Sequence, residues 1–192
     1  MATDPIRRFN KWLTEAGRAG IEVPEACALA TADDRGRPSV RFVLLKEADD
    51  RGFVFYTNTM SRKGVEIEQN PWGSLAFYWH ETDRQVRVDG RLVPVAKREA
   101  DAYWEERPRE SRLASLASIQ SAPMERRAQL LNRFRELTKQ CEGREIPRPS
   151  HWMGFRLVPE RIEFWTREEP RLHHREVFVR RRDAWASQLL QP

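Results

Sequence analysis

Apolar residues recur along this chain with two different periods, and the places where the period changes divide it into elements. Behind Asp4 and Pro5 they fall at Ile6, Phe9, Trp12 and Leu13. That is helical spacing with an N-cap and a first-turn proline, so an amphipathic opening helix is predicted. From Ala26 the period becomes two. Residues 26–31 and 39–46, joined by the Asp- and Gly-containing turn at 33–38, read as a hairpin, and 53–58, 72–79 and 84–92 supply three more strands. After Pro94 the helical period returns in 97–106, around 111–118 and in 124–141, where Leu130, Leu131, Phe134 and Leu137 share one face. Strands resume at 152–158, 161–165, 176–180 and 184–189. Short strands on both sides of a helical insertion predict a mainly β protein with helices (α+β), built as one domain over 1–192.

Between the third and fourth strands, 61–70 forms a short predicted helix, capped by Ser61 and stopped before Pro71. Arg62 and Lys63 occupy its first turn, where the helix dipole disfavours cations unless an anion sits there too. Two merely exposed basic residues, at a cost of a few tenths of a kcal/mol, remain an alternative at this point.

Composition changes the picture in three ways. With 40% hydrophobic and 33% charged residues, seven Trp and nine Phe, the 192-residue chain carries a sizeable core under a heavily charged surface. No apolar run approaches a membrane span and no leader opens the chain, so a cytoplasmic protein is expected. Cys27 and Cys141 lack metal-ligand spacing, so neither a metal site nor a disulfide framework is expected. The net charge of +5 admits nucleic acid or small anions as partners, but basic residues are interleaved with acidic ones and no groove-reading element is apparent.

The densest chemistry lies at 165–175, where Trp165, Arg167, Arg171, His173, His174 and Arg175 crowd around Pro170. In an extended chain Arg171, His173 and Arg175 point to one side, suited to an anion beside a flat ring. A solvated hairpin loop is the other reading of this window.

Six patterns in order decide between these readings: Arg41 to Lys46, Phe55 to Lys63, Arg84 to Val86, Tyr103 to Ser111, Ile119 to Ser121, and Trp165 to Arg175. Together they resemble the pyridoxine (pyridoxamine) 5'-phosphate oxidases over essentially the whole chain. The resemblance implies a split β-barrel homodimer with FMN at the subunit interface. It implies flavin contacts from Arg41, Phe42, Val43, Leu44, Leu45, Lys46, Tyr56, Thr57, Arg62, Lys63, Gln85, Gln120, Ser121, Trp165 and Arg175. Lys46, Tyr103, Arg107 and Ser111 are expected to hold the substrate phosphate, and Arg171, Leu172 and His173 the substrate ring, with Arg171 and His173 as the catalytic pair.

The implied reaction is oxidation of pyridoxine or pyridoxamine 5'-phosphate to pyridoxal 5'-phosphate, by hydride transfer from C4' to flavin, with O2 as final acceptor and H2O2 as product. A flavin oxidase of the phenazine-biosynthesis type is the nearest alternative and a basic nucleic-acid module a remote one. Two departures from the family pattern stand out. The chain begins almost at Asp4, without the family's basic, tyrosine-containing segment, so closure over substrate is expected to be weaker or achieved otherwise. His174 replaces a usual acidic residue, read as a tolerated surface change, while His80 and His151 are read as structural.

Overall fold

The structure is a computed structural model and describes residues 4–182 and 184–192. The predicted opening helix is α1 (Pro5–Arg18), with Asp4 Oδ1 accepting from the Ile6 amide at 2.9 Å and Pro5 in the first turn. Nine strands follow: β1 (Ala26–Ala32), β2 (Pro38–Leu44), β3 (Glu47–Asp49), β4 (Gly52–Asn58), β5 (Trp72–Trp79), β6 (Arg84–Pro94), β7 (Trp152–Thr166), β8 (His174–Arg181) and β9 (Ala184–Leu189). The helices between them are α2 (Arg62–Gln69), α3 (Lys97–Glu106), α4 (Arg109–Ala117) and α5 (Arg127–Gln140).

The strands form one sheet in the order β2-β1-β5-β6-β7-β4-β3, with β8 beside β7 and β9 beside β8. The β1–β2, β1–β5, β3–β4, β5–β6, β7–β8 and β8–β9 pairs are antiparallel. The three-residue β3 lies outside the predicted strands. The strands predicted at 152–158 and 161–165 are one, β7, which runs through Pro159.

The chain groups into two compact units, one of residues 1–55, 66–93 and 155–192, the other of residues 56–65 and 94–154. In the first, Phe9 of α1 meets Phe53 and Phe77 edge-on at 4.9 Å, and Trp12 meets Phe164 at 5.1 Å. The helical period of α1 therefore serves to bury Ile6, Phe9, Trp12 and Ala16 among the strands' inward side chains. The second unit has its own smaller core of Trp104, Leu113, Ile146 and Trp152, with Phe134 and Leu137 of α5 packed against it. Leu131, expected on the same face, is exposed.

Candidate active site

In the second unit, α2 begins as its sequence predicts: the Gly64 amide donates to Ser61 Oγ, and this hydroxyl donates to the Asn58 carbonyl at 2.6 Å. A Cβ at Gly64 would lie 2.2 Å from the Thr59 carbonyl oxygen, so only glycine allows the helix start to approach the preceding turn this closely. The two cations of the first turn diverge. Arg62 is exposed, while Lys63 is buried and its Nζ donates to Thr57 Oγ1 at 3.1 Å and to Ser61 Oγ at 3.3 Å. Thr57 Oγ1 in turn donates to Gln120 Oε1 at 3.3 Å, beside the exposed Ser121, which holds φ 71 in the left-handed region.

Pro108 interrupts the helical face that would have joined Tyr103, Arg107 and Ser111. Tyr103 lies in α3, Arg107 is extended at that helix's C-terminus as a residue before proline should be, and Ser111 lies in the first turn of α4. The three nevertheless stay local. Tyr103 stacks on Tyr56 with ring centroids 4.1 Å apart, and Tyr56 stacks on Trp152 at 5.0 Å. The Arg107 guanidinium lies 4.8 Å over the Trp152 ring and donates to Ser115 Oγ at 3.0 Å.

Thr57, Gln120, Arg107, Ser111 and Ser115 all line one cavity of about 370 Å³, floored by Tyr56 and Trp152. Burial pulls the Arg107 pKa down from its usual value; the Tyr103 hydroxyl opposes that shift and the like charge of Arg112 adds to it. Arg112 Nε is itself buried without a hydrogen-bond partner among the described residues. A cavity lined by one guanidinium, hydroxyl and amide groups and two aromatic rings is suited to an anionic group attached to a flat ring.

The remaining candidates lie in the first unit. Along β2 the alternation is inverted: Val40, Phe42 and Leu44 are 68%, 79% and 43% exposed, while Arg41 turns inward. Its guanidinium donates to Thr31 Oγ1 at 2.5 Å, to Glu66 Oε2 at 3.0 Å, and to Ser39 Oγ. Leu45 is buried, Val43 half-buried and Lys46 exposed, its amide donating to the Val54 carbonyl.

Gln85 sits half-buried on β6, and Trp165 and Arg175 are paired across β7 and β8. Glu163, two residues before Trp165 on β7, is 2% exposed and carries three arginines. Arg87 approaches it at 2.5 Å, Arg161 at 2.8 Å and Arg175 at 2.9 Å. Burial pushes the Glu163 carboxyl up, but hydrogen bonds from Arg87 and Arg175 and their charges outweigh it and hold the group below the usual carboxylate range.

His173 packs against Trp165, centroids 4.7 Å apart, and its Nδ1 accepts from the Glu168 amide, leaving Nε2 as the donor. The extended run of β8 begins only at His174. Arg171 sits in a bend with φ 82, so Arg171, His173 and Arg175 do not share one extended face as the spacing suggested. Arg171 and Leu172 are exposed, as is His174. His80 pairs with Glu81 on the surface, and the His151 carbonyl accepts from the Thr59 amide.

Ser115, Trp152 and Glu163 escaped the sequence reading. Ser115 follows Ser111 at i, i+4, a signal that was present. Nothing in sequence marks Trp152 as a stacking partner or Glu163 as the carboxylate shared by three strands.

Family models match nearly all of this framework. Residues 13–141 match the pyridoxamine 5'-phosphate oxidase model, and 152–192 match the model described as the pyridoxine 5'-phosphate oxidase C-terminal dimerisation region. The chain belongs to the pyridoxine/pyridoxamine 5'-phosphate oxidase family. Curated family members agree along their lengths: the enzyme of Rubrobacter xylanophilus is 52% identical over 98% of this chain and 87% of its own, and that of Anaeromyxobacter dehalogenans 51% identical over 100% and 96%.

Among solved structures, PhzG from Burkholderia lata 383, in complex with tetrahydrophenazine-1-carboxylic acid, superposes with a TM-score of 0.94 at 37% identity, covering 99% of this chain and 93% of that one. A pyridoxamine 5'-phosphate oxidase-related, FMN binding protein from Nostoc punctiforme superposes with a TM-score of 0.80 at 21% identity, covering both chains fully. The fold is the α+β split barrel of these oxidases. No helix among the described residues is long and apolar enough to cross a membrane.

Proposed function

We propose that the protein is an FMN-dependent oxidase that converts pyridoxine 5'-phosphate or pyridoxamine 5'-phosphate to pyridoxal 5'-phosphate, with O2 as acceptor and H2O2 as product, the amine substrate also consuming water and releasing ammonia. The observation that carries this reading is the 370 Å³ cavity, which collects Arg107, Ser111 and Ser115 with Thr57 of β4 and Gln120 of the turn after α4. Donors of this kind match phosphate groups.

The residues present also fit FMN. A buried ammonium at Lys63, hydroxyls at Thr57 and Ser61 and a capped helix start form an anion-binding set, for which we assign the flavin phosphate. Gln85, Trp165 and Arg175, with the backbone of 41–46, are assigned to the flavin ring system. When bound, FMN supplies the two-electron acceptor that protein side chains lack.

The chain's own part is alignment. Arg107, Ser111, Tyr103 and Lys46 are assigned to the substrate phosphate, and Arg171, Leu172 and His173 to its ring. His173, with Nδ1 occupied, offers Nε2–H to a ring substituent. Arg171 offers a planar guanidinium with several donors. Neither acts as a strong base, and their contribution lies in holding the reacting carbon in place.

The PhzG superposition favours a second reading, oxidation of a reduced phenazine carboxylate. Arg107, Ser111 and Lys46 support the first, because a phenazine acid has no 5'-phosphate for them to hold. The test is product formation by FMN-loaded protein: pyridoxamine 5'-phosphate should yield peroxide and pyridoxal 5'-phosphate in equal amounts, and tetrahydrophenazine-1-carboxylic acid should yield no peroxide above the protein-free rate. Peroxide from the phenazine acid and none from pyridoxamine 5'-phosphate would select the second reading.

We further infer that the working unit is a homodimer. Val40, Phe42 and Leu44 form an exposed apolar row on β2, and their register partners on β1 are Ala30, Ala28 and Ala26. A protruding row beside a row of methyl groups is self-complementary, as an isologous contact requires. Phe42→Asp should therefore convert a dimer into a monomer with reduced flavin content. Light scattering that shows an unchanged dimer would remove this face from the interface.

A further inference from the structure

We infer that Glu163 is a positioning residue for the flavin: its buried carboxylate sets the guanidinium of Arg175 and ties it to the strand that carries Gln85. The inference rests on the assignment of Arg175, Gln85 and Trp165 to FMN and extends it to a residue that touches none of the reacting atoms.

The geometry is specific. Arg175 approaches Glu163 side-on, with Nε and Nη2 both 2.9 Å from Oε1, while its Nη1 donates to the Gln191 carbonyl at 2.8 Å. Three of its donor directions are thereby fixed and the plane of the guanidinium is set. Oε2 takes Arg87 at 2.5 Å and Arg161 at 2.8 Å. Arg161 also donates to Asp89 Oδ2 at 3.2 Å, so it has a second acidic partner.

Position along the strands gives this cluster its meaning. Arg87 is two residues beyond Gln85 on β6, Glu163 two residues before Trp165 on β7, and Arg175 directly across from Trp165 on β8. Side chains two apart on a strand share a face. The carboxylate is therefore the common acceptor for the strands that present all three assigned flavin residues. Three guanidiniums against Glu163 and Asp89 also leave one net positive charge on that face. One arginine would neutralise a buried carboxylate, whereas three converge on Glu163, which is 2% exposed.

The test is a double-mutant cycle on FMN binding, read by titration of flavin-free protein with FMN. Glu163→Gln keeps the side-chain shape but loses the charge, and it should weaken FMN binding about tenfold. Arg175→Ala should weaken it at least as much. If Glu163 acts through Arg175, the double variant should bind no worse than Arg175→Ala, because the group being positioned is gone. Arg161→Gln should leave FMN affinity within about twofold, since it holds the same carboxylate but borders no assigned flavin residue.

Should Glu163→Gln fail to fold, Glu163→Asp takes its place in the cycle, with the charge kept and withdrawn by one methylene. Additive losses in the double variant, or an Arg161→Gln loss equal to that of Glu163→Gln, would show a general structural role and overturn the inference alone. Normal FMN binding by Arg175→Ala would overturn the assignment of Arg175, and this inference with it.

Discussion

Lys63→Ala is expected to lose FMN while keeping its fold. The Lys63 ammonium is buried and donates to Thr57 and Ser61, two hydroxyls that retain other partners in Gln120 and Asn58. Truncation therefore strands neither hydroxyl, and the flavin-free protein should melt within a few degrees of the parent. With FMN the comparison changes. Hydrogen bonds to charged groups contribute about 1.5–3 kcal/mol each, so affinity should fall roughly ten- to a hundredfold. Arg62→Ala, at the exposed neighbour, should cost less. Flavin titration and thermal melting of both variants check this, and undiminished FMN affinity in Lys63→Ala would move the flavin phosphate elsewhere.

The second large effect is expected at the bend before β8, where Arg171 and Arg175 should fail in different ways. Arg171→Ala should stay yellow, because its guanidinium is exposed in the loop and belongs to none of the contacts assigned to flavin. Its kcat/KM should fall on the order of a hundredfold, the size of effect that misalignment of a reacting carbon produces. Arg175→Ala should lose flavin first and recover much of its turnover at saturating FMN. The left-handed φ of 82 adds a control at position 171. Glycine adopts that conformation without strain, so Arg171→Gly should be as stable as Arg171→Ala or more so, and equally slow. Flavin absorbance beside steady-state kinetics separates these outcomes, and normal turnover by Arg171→Ala would end its assignment to substrate.

Much of this architecture was legible in the pattern of residues. Period two located eight of the nine strands, and the Asp4-Pro5 start and Ser61 cap located two helix beginnings to within a residue. What periodicity cannot supply is which face points inward. On β2 it separates Arg41 from Phe42 correctly, yet the usual sense is reversed: Arg41 goes in because Glu66 waits there with a buried carboxylate, and Phe42 is left outside.

The sites show the same limit. Tyr103, Arg107 and Ser111 were identifiable together only through family resemblance, since Pro108 breaks the helix that would have joined them. Tertiary contacts then add Ser115 and Trp152. Arg171's backbone conformation is set by the turn at Pro170 and leaves no trace in side-chain spacing. Glu163 reads as one polar residue inside an aromatic strand, and its three arginines come from β6, β7 and β8, up to 76 positions apart.

The central claim is that the cavity lined by Arg107, Ser111 and Ser115 serves a phosphorylated substrate, and one comparison tests it most directly. Peroxide release by FMN-loaded protein should be followed with pyridoxamine 5'-phosphate and with pyridoxamine, which differ only in the phosphate. Loss of two or more charge-assisted hydrogen bonds of about 1.5–3 kcal/mol each predicts that kcat/KM for pyridoxamine is lower by roughly two orders of magnitude or more. The gap should shrink in Arg107→Ala, because the residue that reads the phosphate has been removed. Equal kcat/KM for the two amines, or a gap that Arg107→Ala leaves untouched, would contradict the account.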